Sequence, residues 1–526
     1  MGGGGSDWRF SWHGYMRAPM RIGQGDVPTC PKGTMPGTPV NNMGMANPAM
    51  GAATPCAGPG QPTTAFHTPM VPDDQYLAWT YDRQSEKDWA EVFLNYGNDM
   101  VVGTVGLQGF GFTDAEYNHN YPAQFGISQG YVTITPHLPV PKLKMEIKVG
   151  SFWNKYGMAG QYDAGQYDTY LFARTHSMGE DIKAEYGVGS FKFRLEDGIG
   201  TKSEQVMVGN PVSAGTAMSI TPGGSITEGM PGFTLLHHIH AGFSYKDVLD
   251  VNFHYMTAWS QDARIATSTN DGIDGGTETV SGVEAHVWGG MFGNLYLGFA
   301  DIQAQQAEYV GPVIETIHSM GGGGYPNGQQ FFDQGFGIVD NFLGTCGQGG
   351  TTASSCKDPA HDQGTGTIQT IEAQYDYSFG LLYRKLQSAS AGFWGDGSDL
   401  TLSLFMMYNY IQTKDTSMPT QKLKYGADLI YTPLPWLGVG VRFDEVNPDL
   451  DNNSSLKDQN FSVIGPKLIF KSRFITHEAI TLQWAHYMYA ANVLPQSPYN
   501  GGSPGSGFPV YYADQNVYGL KATIWW

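Results

Sequence analysis

The 526-residue chain contains no run of 18 or more apolar residues. A helix needs about 20 such residues to cross bilayer hydrocarbon, so helical membrane spans are excluded. Charged residues are also scarce, at 15%, where a soluble globular chain carries about 25%. Basic residues are the scarcer sign: 29 Lys and Arg stand against 48 Asp and Glu, a formal charge of −19. That balance argues against nucleic acid or an anionic membrane surface as partner. No basic, apolar leader precedes Asp7, so the expectation is a mature chain whose residues 1–7 form a short flexible lead. The glycine run Gly321–Gly324 has no following Lys-Ser/Thr and no strand-to-helix context, which removes a phosphate loop. No credible Ser-His-Asp triad can be picked out. No catalytic residue, metal or cofactor is therefore expected, and the chain does not read as an enzyme.

Glycine (71 residues) and aromatics (30 Tyr, 27 Phe, 12 Trp) are abundant, yet mean hydropathy is slightly polar at −0.29. That combination suits strands with lipid on one face and water on the other. The end of the chain shows the pattern most clearly. In Gln515–Trp526, Tyr518, Leu520, Ala522, Ile524 and Trp526 fall on one face, and Gly519, Lys521, Thr523 and Trp525 on the other. The segment is long enough for a tilted strand to cross a bilayer. Alternation recurs elsewhere. Leu143, Met145, Ile147 and Val149 oppose Lys144, Glu146 and Lys148, and Val251, Phe253, Tyr255 and Trp259 oppose Asp250, Asn252 and His254. Trp8, Phe10, Trp12 and Met16 oppose Arg9, His13, Tyr15 and Arg17. Period two with one apolar face is the signal of a half-buried strand.

Connections alternate between short and long. The short ones lie near Gly97–Asp99, His137–Lys142, Gly189–Ser190, Lys246–Asp247, Gly290–Gly293, Pro433–Pro435 and Ser472–Thr476. The long ones include 18–88, 113–123, 154–181, 197–232, 261–278, 303–366 and 491–514. Counting strands between them predicts a single all-β domain over 1–526: a transmembrane antiparallel barrel of about 18 strands in a bacterial outer membrane. The segment 367–398 accommodates either one long strand or two short ones. The four cysteines form two local pairs, Cys30 with Cys56 and Cys346 with Cys356, each inside a polar, Gly-rich loop. They read as two loop disulfides in an oxidising compartment, with metal ligation as the alternative chemistry.

The two ends together resemble the maltoporin, or sugar-specific porin, family. His13-Gly14-Tyr15-Met16-Arg17 is similar to that family's first-strand HGYxR pattern, and Ile524-Trp525-Trp526 to its terminal IWW. The resemblance implies a homotrimer in contact with lipid and lipopolysaccharide, passing small hydrophilic solutes, sugars among them. It implies a sugar-sliding aromatic surface that includes Tyr15 and Trp525, with Arg17 on the polar track. Arg9 faces the same way as Arg17 by alternation. Segment 154–181 sits where such porins fold a loop into the pore, and Asp163 and Asp168 keep a D-x4-D spacing found there.

Three histidines, His238, His240 and His254, fall on lumen faces of neighbouring predicted strands. Imidazoles so placed can bind a divalent metal, but polar pore lining is the plainer assignment. Met35, Met43, Met45 and Met50 similarly read as adaptable loop packing rather than soft-metal ligands. A second function class remains: a structural or docking barrel whose long loops bind a partner or plug the pore.

Overall fold

The computed structural model describes residues 7–26, 64–67, 76–77, 89–110, 124–156, 173–203, 233–260, 277–305, 314–316, 366–380, 399–413, 420–447, 450, 461–472, 477–489 and 514–526. They form twenty strands in chain order: β1 Arg9–Asp26, β2 Thr64–His67, β3 Trp89–Gly97, β4 Val101–Phe110, β5 Gln124–Ile134, β6 Leu143–Tyr156 and β7 Ala173–Val188. Next come β8 Phe191–Ser203, β9 Phe233–Tyr245, β10 Leu249–Ser260, β11 Thr277–Trp288, β12 Asn294–Gln305, β13 Ile314–Thr316 and β14 Gly366–Ser378. The last six are β15 Asp399–Thr413, β16 Thr420–Leu434, β17 Leu437–Asn447, β18 Phe461–Ser472, β19 His477–Tyr489 and β20 Asp514–Trp525.

All but β2 and β13 build the wall, so the barrel has the eighteen strands expected. Each wall strand pairs antiparallel with the next, and β1 closes the ring on β20. The closing register runs from Tyr15 opposite Trp525 to Gly23 opposite Val517. Beyond it the Gly14 N–H donates to the Trp526 carbonyl and the Trp526 N–H to the Gly14 carbonyl, both at 3.1 Å. Closure leaves no edge, which is the condition for β-structure in lipid.

The alternation decides which side chains meet lipid. Met16, Met20, Ile22, Leu195, Phe253, Leu404, Met406, Val441, Leu468 and Leu482 stand exposed on the outer face. A soluble protein does not carry an apolar belt of this extent. Aromatics gather near the short turns. Trp8 packs on Tyr96 (5.3 Å) and Trp12 on Trp526 (5.6 Å), while Phe191, Phe292 and Trp436 are exposed beside their own turns. This is the interfacial girdle of an outer-membrane barrel. One of those turns needs glycine: Gly189 holds φ 60° between β7 and β8.

Several strands run further than the sequence pattern indicated. β1 continues to Asp26 rather than ending before residue 18, because Pro19 and two glycines, Gly23 and Gly25, still pair with β20. Likewise β6 reaches Tyr156 and β7 starts at Ala173, so Asn154 and Asp181 lie in strands rather than bounding a loop. Their inward positions carry Asn154, Thr175, Ser177 and Asp181, polar residues that imitate loop composition. Among the described residues of the ambiguous stretch 367–398, the strand β14 ends at Ser378. The Asp399 carboxylate accepts from the Ser378 hydroxyl (2.9 and 2.7 Å) and from the Gly380 N–H (2.7 Å), tying down both ends of that connection.

Leu404→Arg, on the outer belt, is expected to destabilise the folded barrel by about 2–4 kcal/mol if it lies near the bilayer midplane. Reversible urea unfolding from lipid vesicles measures this.

Candidate functional site in the lumen

The inward face of the wall is polar and densely paired. From β6 to β11 it carries carboxylates and imidazoles. Asp181 (β7), Glu196 (β8), His238 and His240 (β9), His254 (β10) and Glu284 (β11) are all inward, and all but His240 are almost fully buried. The registers explain the clustering. His240 lies opposite Glu196 on one side and His254 on the other, so one row across three strands brings the three together. The imidazoles of His240 and His254 stack at 4.4 Å, and the Tyr156 ring stands edge-on to His238, His240 and His254 at 5.5, 6.4 and 5.7 Å. His254 Nε2 lies 2.9 Å from Glu284 Oε1, and the Tyr296 hydroxyl donates to Glu284 Oε2 at 2.9 Å. Next to them Arg194 bonds Asp250 and, at 2.9 Å, Asn252.

The strands β15 to β18 carry the opposite emphasis. Lys422, Lys424, Arg442 and Lys467 are inward and buried. Arg442 grips Asp444, two residues along its own strand, with Nε on Oδ2 (2.7 Å) and a second nitrogen on Oδ1 (2.8 Å). Lys467 Nζ donates to Asp428 Oδ2 at 2.6 Å.

A piece of the first long loop enters this wall. The Tyr76 hydroxyl donates to Asp428 Oδ2 (2.8 Å), and its ring stacks on Phe405 (4.8 Å, 13°). The Arg442 guanidinium sits 5.1 Å from the Tyr76 ring centroid and 5.2 Å from that of Phe405. Leu77 is buried against Tyr296, Ala300 and Phe405. Such stacking and cation–π contacts are worth about 0.5–2 kcal/mol each.

Exposure divides the lumen along its axis. Inward residues near the short turns, Arg9, His13, Lys144, Lys183 and Lys192, are exposed. Nearer the long loops, inward Leu236, Met256, Val280, Ile302, Met407, Val446 and Val463 have no exposed surface. The inward side chains are thus reached by solvent near the short turns and covered nearer the long loops.

Of the residues singled out in the sequence, Arg9, Tyr15 and Arg17 share one face of β1. Arg9 is exposed, whereas Tyr15 and Arg17 are 2% and 3% exposed. Trp525 pairs in register with Tyr15. Asp163 and Asp168 lie outside the described residues, as do Cys30, Cys56, Cys346 and Cys356 and the methionines of the first loop. Alternation could identify the inward lysines Lys422 and Lys424. Tyr76 left no sequence signal, because a loop residue acquires its partners only from the folded wall.

No family model matches the sequence, and no curated protein matches it. Solved structures are similar in outline. They include OmpT, an outer membrane protein of Vibrio cholerae (9% identity, 99% of this chain and 98% of that chain covered, TM-score 0.35). Others are the outer membrane channel DcaP of Acinetobacter baumannii (9%, 99% and 97%, 0.37) and OccK5 (OpdH) of Pseudomonas aeruginosa (9%, 99% and 98%, 0.35). At these identities and scores the likeness goes no further than its report, and the chain's own strands carry the fold.

Asp444→Ala removes the two-point carboxylate partner of the buried Arg442 guanidinium, and the expected cost is on the order of 3 kcal/mol. Denaturant midpoints of the two barrels measure it.

Proposed function

We propose that the protein is an outer-membrane porin that passes small hydrophilic solutes by passive diffusion, with no chemical step. One observation carries this reading: a closed eighteen-strand wall whose outer face is apolar and whose inner face is lined by charged and polar side chains. Selectivity in such a pore comes from its width and from the sign of the lining charges. Inward carboxylates are concentrated from β7 to β14. Inward cations stand in two groups, Lys144, Lys148, Lys183, Lys192 and Arg194 on β6 to β8, among the carboxylates, and Lys422, Lys424, Arg442 and Lys467 on β16 to β18, with Lys521 and Arg17 where the barrel closes.

Sugars are the first substrate class to try. The support is the resemblance of the two ends to sugar-specific porins, with Tyr15 and Trp525 in register and Arg17 on the Tyr15 face. The homotrimer, the lipid and lipopolysaccharide contacts, the two loop disulfides and a pore narrowed by Asp163 and Asp168 rest on the same resemblance and on loop composition.

A second reading is favoured by Tyr76 and Leu77. What supports it is their contact with the wall side chains Phe405, Asp428 and Arg442, the kind of seat a plugged or docking barrel would use. On this view the seated segment is the resting state, and a partner or solute displaces it.

Planar-bilayer recordings separate the two. The porin reading expects channels in the wild type, with a concentration-dependent block by maltodextrins if sugars are the solute. Tyr76→Ala is expected to raise single-channel conductance, since it removes a ring and a hydroxyl anchor from the lumen. Silent wild-type barrels that Tyr76→Ala opens would establish the plug. Silence from both, in protein that retains its β-sheet spectrum, would end the transport reading.

A further inference from the structure

We propose that Asp181, Glu196 and His238 form a binding site for one borderline divalent cation, of the zinc type, in the wall of the lumen. Among the described residues they are the one group of three such side chains whose ligating atoms converge, all within 4.8 Å of one another. They come from three consecutive strands, β7, β8 and β9, and all three are buried. Carboxylate oxygen with imidazole nitrogen is a donor set suited to zinc.

The distances leave room for an ion between the three donors. His238 Nε2 lies 3.3 Å from Asp181 Oδ1 and 3.6 Å from Glu196 Oε1. A charge-assisted hydrogen bond closes to about 2.7–2.9 Å, and the same lumen contains one, His254 to Glu284 at 2.9 Å. His238 therefore sits between two carboxylates at a longer reach from each. Ligands about 2.0–2.1 Å from a tetrahedral zinc stand about 3.3 Å apart. The Asp181–His238 distance matches that figure, and the Glu196–His238 distance is somewhat longer.

The surroundings are built to hold this arrangement. The outer oxygens of both acids are engaged: Lys148 Nζ is 4.0 Å from Asp181 Oδ2, Lys183 Nζ is 3.6 Å from Glu196 Oε2, and His240 Nδ1 is 3.7 Å from Glu196 Oε2. The remaining oxygens, Oδ1 and Oε1, face the imidazole. Outer partners of this kind orient metal ligands and tune their affinity. Position 198, on β8 beside the imidazole, is glycine, and a Cβ there would lie 2.2 Å from His238 Cε1. The wall is thus relieved of a side chain at the one place where the ring lies against it. Three protein ligands leave a fourth position for water or a passing solute. The ring coordinates as the neutral imidazole, through the Nε2 lone pair with its proton on Nδ1; an imidazolium would release its Nε2 proton to solvent, and the three protein donors replace water molecules on the ion.

Zinc chloride is the probe, and binding is read independently of conductance. Purified full-length barrel, stripped with chelator, is titrated against a chromophoric zinc indicator. The expected result is one zinc per chain, weakened by about tenfold or more in Glu196→Gln and abolished in His238→Gln. His486→Gln, on β19 and bonded to Asn516, should leave the affinity at the wild-type value. Heat-dependent gel mobility confirms that each variant is folded. If His238→Gln does not fold, Glu196→Gln and His486→Gln still decide the matter. No stoichiometric zinc in the wild type would mean an ion-pair network only. Wild-type affinity in folded His238→Gln or Glu196→Gln would place the metal elsewhere. Either result overturns the proposal.

Discussion

Everything in this molecule depends on β1 finding β20. Lipid offers no hydrogen bonds, so each unpaired N–H or C=O on an open edge would cost several kcal/mol. The first and last strands are separated by nearly the whole chain, yet their register is continuous from Tyr15 to Gly23, and the two Gly14–Trp526 bonds extend it. Once that seam is closed, the period of two sends every other side chain into the lumen. The inner chemistry follows from the outer constraint.

What collects inside is not a featureless polar lining. Registers across β7 to β11 stack histidines beside carboxylates. Along β17 Arg442 pairs with Asp444, and across β16 to β18 Lys467 pairs with Asp428. Buried charges of this kind survive only when paired, and the pairing explains why so many sit at near-zero exposure. Tyr76 uses the same wall. Its hydroxyl shares Asp428 with Lys467, and its ring shares Arg442 with Phe405, so a loop is anchored to groups the wall had already neutralised. The two histidine environments differ for a related reason: His254 is bonded closely to Glu284, while His238 is held between two acids whose outer oxygens are engaged by lysines and by His240.

The sequence was a good guide to the strands and a poor one to their ends. Strands such as Leu143–Tyr156 and Asp514–Trp525 announce themselves because lipid and water demand opposite side chains at alternate positions. The ends blur where the inward set turns polar or glycine-rich, as at Asn154–Tyr156, Ala173–Asp181 and Pro19–Asp26, because composition alone cannot separate a lumen face from a loop. That Arg9, Tyr15 and Arg17 share a face, and that His238, His240 and His254 stand inward, was legible by the same alternation.

By itself, then, the amino-acid sequence determined the class of fold, the number of wall strands and the side of the wall on which each alternating residue stands, since these follow from local periodicity against two solvents. Only the tertiary structure decided which inward residues meet. Asp181, Glu196 and His238 are up to 57 residues apart in the chain, and Tyr76 and Asp428 are 352 apart. Their contact depends on strand register and on where a loop descends, and both are set by the closed ring as a whole rather than by any segment of it.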